Sequence, residues 1–345
     1  MRFATSCVPS LVGKVMANVQ KYFEQFHGTI RIDYEASQPL RDKREILERR
    51  ITEWLKQNGK PGLSSLLQGS YAMKTGVIPI GSLEYDIDIG LRLDLRAEDY
   101  PASEVRGWVL AALEGHTDRV EEKGPCIRVG YAVGFHVDVV CYAYWLEGAG
   151  ERFNLAHRDS GWRPTDPPAL LEAIKKAREP YDGTEDARTK TDQFRRAVRY
   201  LRRWDDVAIP KESTAKPSGL AFVLLCSDRL VRKEAVSGDP DDRAALEVLA
   251  RSAASTPDRL VAKKPTPEYE DMFGRLTDTE MVDLKSRCSS LAKALADADA
   301  EPDPVEACRI LRGVFGEDFP VPPPEDTGRR TRTPAIVTPS SSAGV

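Results

Sequence analysis

The sequence predicts an α+β chain, with a mixed sheet flanked by helices in a first lobe and helices alone in a second. Three observations carry that prediction. EYDIDIGLRLDL (84–95) alternates in period two, as a strand does. CIRVGYAV (126–133) and GFHVDVVCYAY (134–144) are rich in β-branched and aromatic residues and read as a hairpin turning near Gly134. Beyond about residue 165 the strands stop, and 167–179, 189–206, 217–232, 241–254 and 278–298 all carry helical spacing.

The other elements follow from the same signals. Residues 10–27 and 39–58 have apolar positions at helical spacing, the second through Ile46, Leu47, Ile51, Trp54 and Leu55. GLSSLLQGSYAMKTG is a short apolar stretch ending in Gly-Ser. A helix at roughly 103–114 opens on Ser103 with Glu104 in its first turn. The expected division is a first lobe with N-terminal helices over 1–160 and a helical lobe over 161–319. The Pro/Ser/Thr-rich stretch 320–345 cannot bury a core and reads as disordered.

Composition narrows the function classes. The chain is 41% hydrophobic and 30% charged, ordinary for a globular protein, and its formal net charge of −4 argues against a dedicated nucleic-acid surface. No apolar run approaches the roughly 20 residues of a membrane span, and the start reads as amphipathic helix rather than signal peptide. Six scattered cysteines, with no CxxC pair and no histidine cluster, argue against zinc. A cytoplasmic location is the resulting expectation.

The chemistry concentrates in three places. Asp86 and Asp88 lie two apart on a strand, so both point to one face, about 6–7 Å apart. Two carboxylates so placed repel unless a cation lies between them, and magnesium favours such hard oxygen ligands. Asp138 sits within the apolar strand FHVDVVCY, where a lone carboxylate is costly unless paired or metal-bound. If the two strands are neighbours, three carboxylates converge into the ligand set for two metals. Upstream, Gln68-Gly69-Ser70 ends an apolar stretch ahead of helix-compatible residues. Glycine lets the backbone approach a phosphate, and the serine hydroxyl with free N–H groups can bind it. Lys74 adds charge one turn on. The P-loop pattern is absent. His136 shares the Asp138 face and reads as structural; Tyr71 and Tyr142 could stack on a base or pack in the core. In RTKTDQFRRAVRYLRRW, Arg195, Arg199, Arg202 and Arg203 form a basic face that suits phosphates.

Gly69-Ser70, Asp86-Ile87-Asp88 and a distant strand Asp138 resemble the polymerase-β-type nucleotidyltransferase signature. Within it, QGSYAMKTGV, EYDIDIGL and FHVDVVCY are most similar to the bacterial cGAS/DncV-like nucleotidyltransferases (CD-NTases), synthases of cyclic nucleotide signals in anti-phage (CBASS) defence. TDQFRRAVRYLRRWDD followed by KPSGLAFVLL is similar to that family's basic helix and its Lys/Pro-Ser helix start, so the resemblance spans roughly 60–232. It implies a metal-dependent enzyme that joins NTPs, ATP among them, into a cyclic di- or trinucleotide and releases pyrophosphate. Two Mg²⁺ ions, or Mn²⁺, would be held by Asp86, Asp88 and Asp138. The nucleotide would contact Gln68, Gly69, Ser70, Lys74, Arg202 and Ser218. Fifteen residues separate Ser70 from Asp86, which implies a longer hairpin around Pro79-Ile80-Gly81. The alternative is a transferase acting on RNA ends or on a protein. The resemblance also raises regulatory or conjugating partners acting on the C-terminal tail, which ends Ser342-Ala343-Gly344-Val345.

Overall fold

A computed structural model describes residues 18–33, 38–81, 85–131, 135–209, 213 and 215–323, with backbone alone for 38–40, 85 and 86. Seven strands among them form one mixed sheet: β1 (Leu63–Leu67), β2 (Tyr85–Asp94), β3 (Val120–Glu122), β4 (Ile127–Tyr131), β5 (Phe135–Glu147), β6 (Gly150–His157) and β7 (Gly161–Thr165). The order is β1-β2-β5-β4-β3; β6 pairs with the far half of β5, and β7 with β6. Only β2 and β5 run parallel; the other pairs are antiparallel.

Period-two patterning sorts the faces of the central strands. Ile87, Ile89, Leu91 and Leu93 of β2 and Val137, Val139 and Cys141 of β5 share one core. Leu47, Ile51 and Leu55 of α2 (Gln38–Gln57) and Val105 and Val109 of α4 (Ala102–Leu113) cover it. Asp88 and Asp138 therefore fall on the opposite face, with Val140 and Tyr142. A short helix, α3 (Gly69–Met73), follows β1 directly.

The second core holds α5 (Pro167–Arg178), α6 (Gln193–Ala208), α7 (Gly219–Arg229), α8 (Asp242–Ala254), α9 (Asp278–Ala300) and α10 (Pro304–Phe315). Their starts are chemically marked. Asp166, Asp192, Ser218, Asp241 and Asp303 each accept a backbone N–H as N-cap, and Thr277 with Glu280 makes a capping box. Helix α10 went unread in the sequence although Asp303-Pro304 is a start signal.

The lobes interleave more than the expected boundaries allow. Helix α1 (Gln20–Ile30) joins the helical core, where Phe23 and Phe26 meet Tyr200, Phe315 and Phe319 with ring centroids 5.1–5.8 Å apart. Strand β7 carries the sheet past residue 160 to Thr165. Phe319 is fully buried and Val321 packs on the same core. The predicted helix before residue 18 and the tail from 324, with its suggested conjugation, lie outside the described residues.

The basic face of α6 requires a correction. The guanidinium groups of Arg195, Arg199 and Arg203 are taken up by protein carbonyls, a carboxylate or both, and Arg202 is anchored by one carbonyl while it lines the cleft. Arg199 donates to the carbonyls of Lys74 (2.5 Å) and Gly76 (3.1 Å), Arg202 to that of Thr75 (2.9 Å), and Arg203 to that of Ile78 (2.7 Å). Arg195 pairs with Asp192, and Arg203 also with Asp318. Of these carbonyls of segment 74–78, that of Gly76 also accepts from Ile32 N–H (3.3 Å), and the guanidinium groups, with five donors each, answer the others. The segment is held from the other side by α1: Val77 bridges Arg31, and Ile78 N–H donates to Ile30 (2.7 Å). Residues 74–78 thus form a strap between α1 and α6, and the hairpin expected around Pro79-Ile80-Gly81 runs into residues 82–84, outside the described ones.

His27 completes this junction. Arg199 donates to its Nε2 (2.9 Å), so the neutral ring carries its proton on Nδ1, towards Thr189 and Asp186. Burial, then the Arg199 charge, lowers its pKa from 6.5 to about 2. A depressed histidine stabilises the fold fully above its unfolded pKa and loses that contribution as pH falls below it. Unfolding free energy should drop by up to about 1.4 kcal/mol per pH unit below 6.5 on account of this residue. Urea unfolding at pH 7.5 and 5.0 checks this: His27→Gln should lose less stability than the parent chain, and equal losses would refute it.

Candidate active site

β1 ends at Leu67, and Gln68 stays extended before Gly69 turns the chain at φ +62° into α3. Because Leu67 pairs with Ile89, this turn lies directly over Asp88. A Cβ on Gly69 would sit 1.7 Å from Asp88 Oδ2, so no side chain fits there. Gln68 is fixed from below. Its Oε1 accepts from Tyr142 Oη (2.8 Å), and a Cβ on Gly90 would lie 2.9 Å from the same oxygen. Burial, then the nearby Asp88 carboxylate, pushes the Tyr142 phenol well above its ordinary range, so it remains a donor.

The parallel register sets Asp88 directly beside Asp138. Asp86 lies two residues earlier on β2, opposite His136; its side chain lies outside the described residues. Asp138 is buried, and Arg128 of β4 forks onto it, Nε to Oδ1 at 2.8 Å and Nη2 to Oδ2 at 2.7 Å. The sequence reading missed Arg128. A hairpin centred on residue 133 pairs 128 with 138, so the signal was present in the turn.

These groups line a cleft of about 410 Å³ between sheet and helical lobe. Of the expected nucleotide contacts, Gln68, Gly69, Ser70, Arg202 and Ser218 border it with Asp88 and Asp138. Lys74 does not: it is the exposed left-handed cap of α3 (φ 53°), with its carbonyl on Arg199. Ser218 is the N-cap of α7, and Gly219 leaves room for the Arg202 guanidinium, whose Cζ would lie 3.2 Å from a Cβ there. The far wall holds Arg163, Lys264, Glu268 and Glu270, none of which had a recognisable motif.

A family model described as the nucleotidyltransferase domain of cyclic GMP-AMP synthase DncV-like proteins matches residues 64–142. Over that segment the chain is similar to the DncV-like nucleotidyltransferase domain. A c-di-GMP synthase of Roseivirga ehrenbergii is 31% identical over 97 residues, and the chain spans about a quarter (26%) of that relative's length. The apo form of Vibrio cholerae DncV superposes with a TM-score of 0.72 at 18% identity, covering 88% of this chain and 97% of that one. The same protein with the linear intermediate 5′ pppA(3′,5′)pG gives 0.70 at 17%, covering 86% and 97%. Escherichia coli DncV with 3′-deoxy GTP gives 0.67 at 16%, covering 84% and 93%. The chain therefore has the DncV fold across both lobes.

The matched segment runs from β1 into β5 and includes the Gly-Ser turn and all three aspartates. Arg202, Ser218 and the far wall come from outside it. Its donor set suits a hard cation. The carboxylate of Asp88 is pressed under the turn, and Asp138 keeps lone pairs after accepting the Arg128 fork. Among the described side chains, which do not include that of Asp86, no three of His, Cys, Asp or Glu converge.

Gly69→Ala tests the contact between turn and carboxylate. The clash and the left-handed backbone should cost about 1–3 kcal/mol. If the parent chain is stabilised by ATP with Mg²⁺, that thermal shift should vanish in the same variant. Differential scanning fluorimetry reads both, and a Gly69→Ala protein with parental melting and parental shift would contradict this geometry.

Proposed function

We propose that the chain is a metal-dependent nucleotidyltransferase that joins NTPs into a cyclic di- or trinucleotide second messenger, in bacterial anti-phage signalling. The observation that carries this reading is the in-register pairing of Asp88 with Asp138 beneath the Gly69 turn, at the floor of a cleft. The DncV-like family match over that segment and the fold likeness to DncV support it.

In this reading the donor triphosphate rests on Gly69-Ser70, and Arg202 and the Ser218 hydroxyl meet it from the helical lobe. Asp86, Asp88 and Asp138 would hold two Mg²⁺ ions, or Mn²⁺ in their place. When bound, the metal neutralises phosphate charge and lowers the pKa of the attacking hydroxyl. Asp138, its plane fixed by the Arg128 fork, faces the acceptor and takes up the ribose hydroxyl proton. The hydroxyl attacks the α-phosphate of the donor, a new phosphodiester forms, and pyrophosphate leaves. A second round within the same cleft closes the ring. Positioning and charge neutralisation supply most of the rate, since phosphoryl-type transfer asks little covalent chemistry of a protein. The relatives solved with pppA(3′,5′)pG and 3′-deoxy GTP favour purine NTPs, ATP among them, as substrates.

Mass spectrometry of the product formed from all four NTPs and Mg²⁺ should find a small phosphatase-resistant cyclic nucleotide. Asp86→Asn and Asp138→Asn should each lower nucleotide consumption by roughly a hundredfold or more with far-UV dichroism unchanged. Full turnover in either variant would remove these carboxylates from the site.

A further inference from the structure

The far wall of the cleft contains a carboxylate whose partners do not account for it. Glu268 lines the cleft with its side chain only 9% exposed. Its Oε1 accepts from the Thr165 hydroxyl (3.0 Å) and lies 3.6 Å from Lys264 Nζ. Its Oε2 is buried and has no hydrogen-bond partner among the described residues. Leaving such an acceptor unpaired is costly, and the cost is relieved by any donor that reaches it. The terminal torsion of a glutamate is broad, so the carboxylate can turn Oε2 to a donor within the cleft while Thr165 keeps the other oxygen.

The loop around it is built for aim rather than economy. Tyr269 sits in the left-handed region (φ 45°) and is 70% exposed, a strained conformation for a tyrosine. Its two neighbours, Glu268 and Glu270, both line the cleft. Glu270 is held by Lys264 (2.8 Å), and the backbone is closed by Lys264 N–H on Glu270 (2.9 Å) and Tyr269 N–H on Thr266 (2.9 Å). Lys264 thus neutralises one carboxylate closely and leaves the other half-answered.

We propose that Glu268 reads the base of a bound nucleotide and selects guanine. The inference rests on the nucleotidyltransferase reading above. A carboxylate only accepts hydrogen bonds. Guanine presents two adjacent donors, N1–H and the 2-amino group, on one edge. Adenine and cytosine each set an acceptor beside their amino donor, and uracil flanks its single donor with two acceptors. Guanine alone matches both oxygens without placing a lone pair against a carboxylate. Leu171 and Met272, which also line the cleft, supply apolar surface for the ring faces.

Glu268→Gln is the test, because the amide keeps an acceptor for Thr165 while its N–H₂ suits the donor–acceptor edge of adenine. Calorimetry with the full chain, Mg²⁺ and the α,β-methylene analogues of GTP and ATP, which bind but cannot transfer, reads the selection directly. The parent protein should favour the guanine analogue at least tenfold. Glu268→Gln should weaken it at least tenfold and leave the adenine analogue unchanged or tighter. Equal shifts for both analogues, no shift, or no guanine preference in the parent would overturn this role for Glu268 and leave the transferase reading standing. Failure of the parent to bind any analogue, cytosine and uracil forms included, would overturn both.

Discussion

Everything in the site depends on one pairing: β2 and β5 run parallel with Asp88 opposite Asp138. Parallel neighbours need a long crossover, and α4, β3 and β4 provide it. Because side chains alternate, that single register sends Ile87, Ile89, Val137 and Val139 into the core under α2 and α4 and the acids to the other side. A slip of one residue would bury the carboxylates in that core. The antiparallel strands on either side then finish the floor. β4 contributes Arg128 to Asp138, and β1 delivers Gly69 over Asp88, where only a hydrogen can stand in place of a side chain.

The helical lobe is tied to this floor through cations on α6. Arg199, Arg202 and Arg203 hold four positions behind the Gly-Ser turn by their carbonyls, Lys74, Thr75, Gly76 and Ile78. His27 must stay neutral to accept from Arg199, and Arg196 is forked on buried Asp242 (2.7 and 2.8 Å) at the start of α8. The junction is therefore a polar network in a low-dielectric interior, where each member is costly to lose. Its consequence for the cleft is positional: Arg202, still lining the cavity, is anchored by Thr75, itself a cavity residue.

The three aspartates and the Gly-Ser turn were legible because strand periodicity and desolvation leave few other uses for acids between valines and isoleucines. The strands that were missed lack that signal. β6, GERFNLAH, is largely half-buried or exposed, and β7 contains a proline, so neither alternates cleanly. Arg195, Arg199 and Arg203 of α6 are bonded within the protein, while Arg202 still lines the cleft, and the sequence did not separate them. Helical spacing tells which residues share a face, but not whether a guanidinium meets a phosphate or a carbonyl, and carbonyls from 74–78 are distant in sequence. Glu268 could not have been singled out, since what marks it is an acceptor oxygen without a donor among the described residues, in a cleft assembled by both lobes.

The far wall and the floor give the cleft two chemistries: acids and a glycine turn on the sheet side, and a mixed Lys-Glu-Arg rim above. A crystal structure with Mn²⁺ and a non-transferable ATP analogue addresses the central claim most directly. The account predicts anomalous density for manganese within coordination distance of Asp88 and Asp138, and triphosphate oxygens against Gly69 and Ser70. Nucleotide bound elsewhere, or manganese absent from those carboxylates with nucleotide in the cleft, would contradict it.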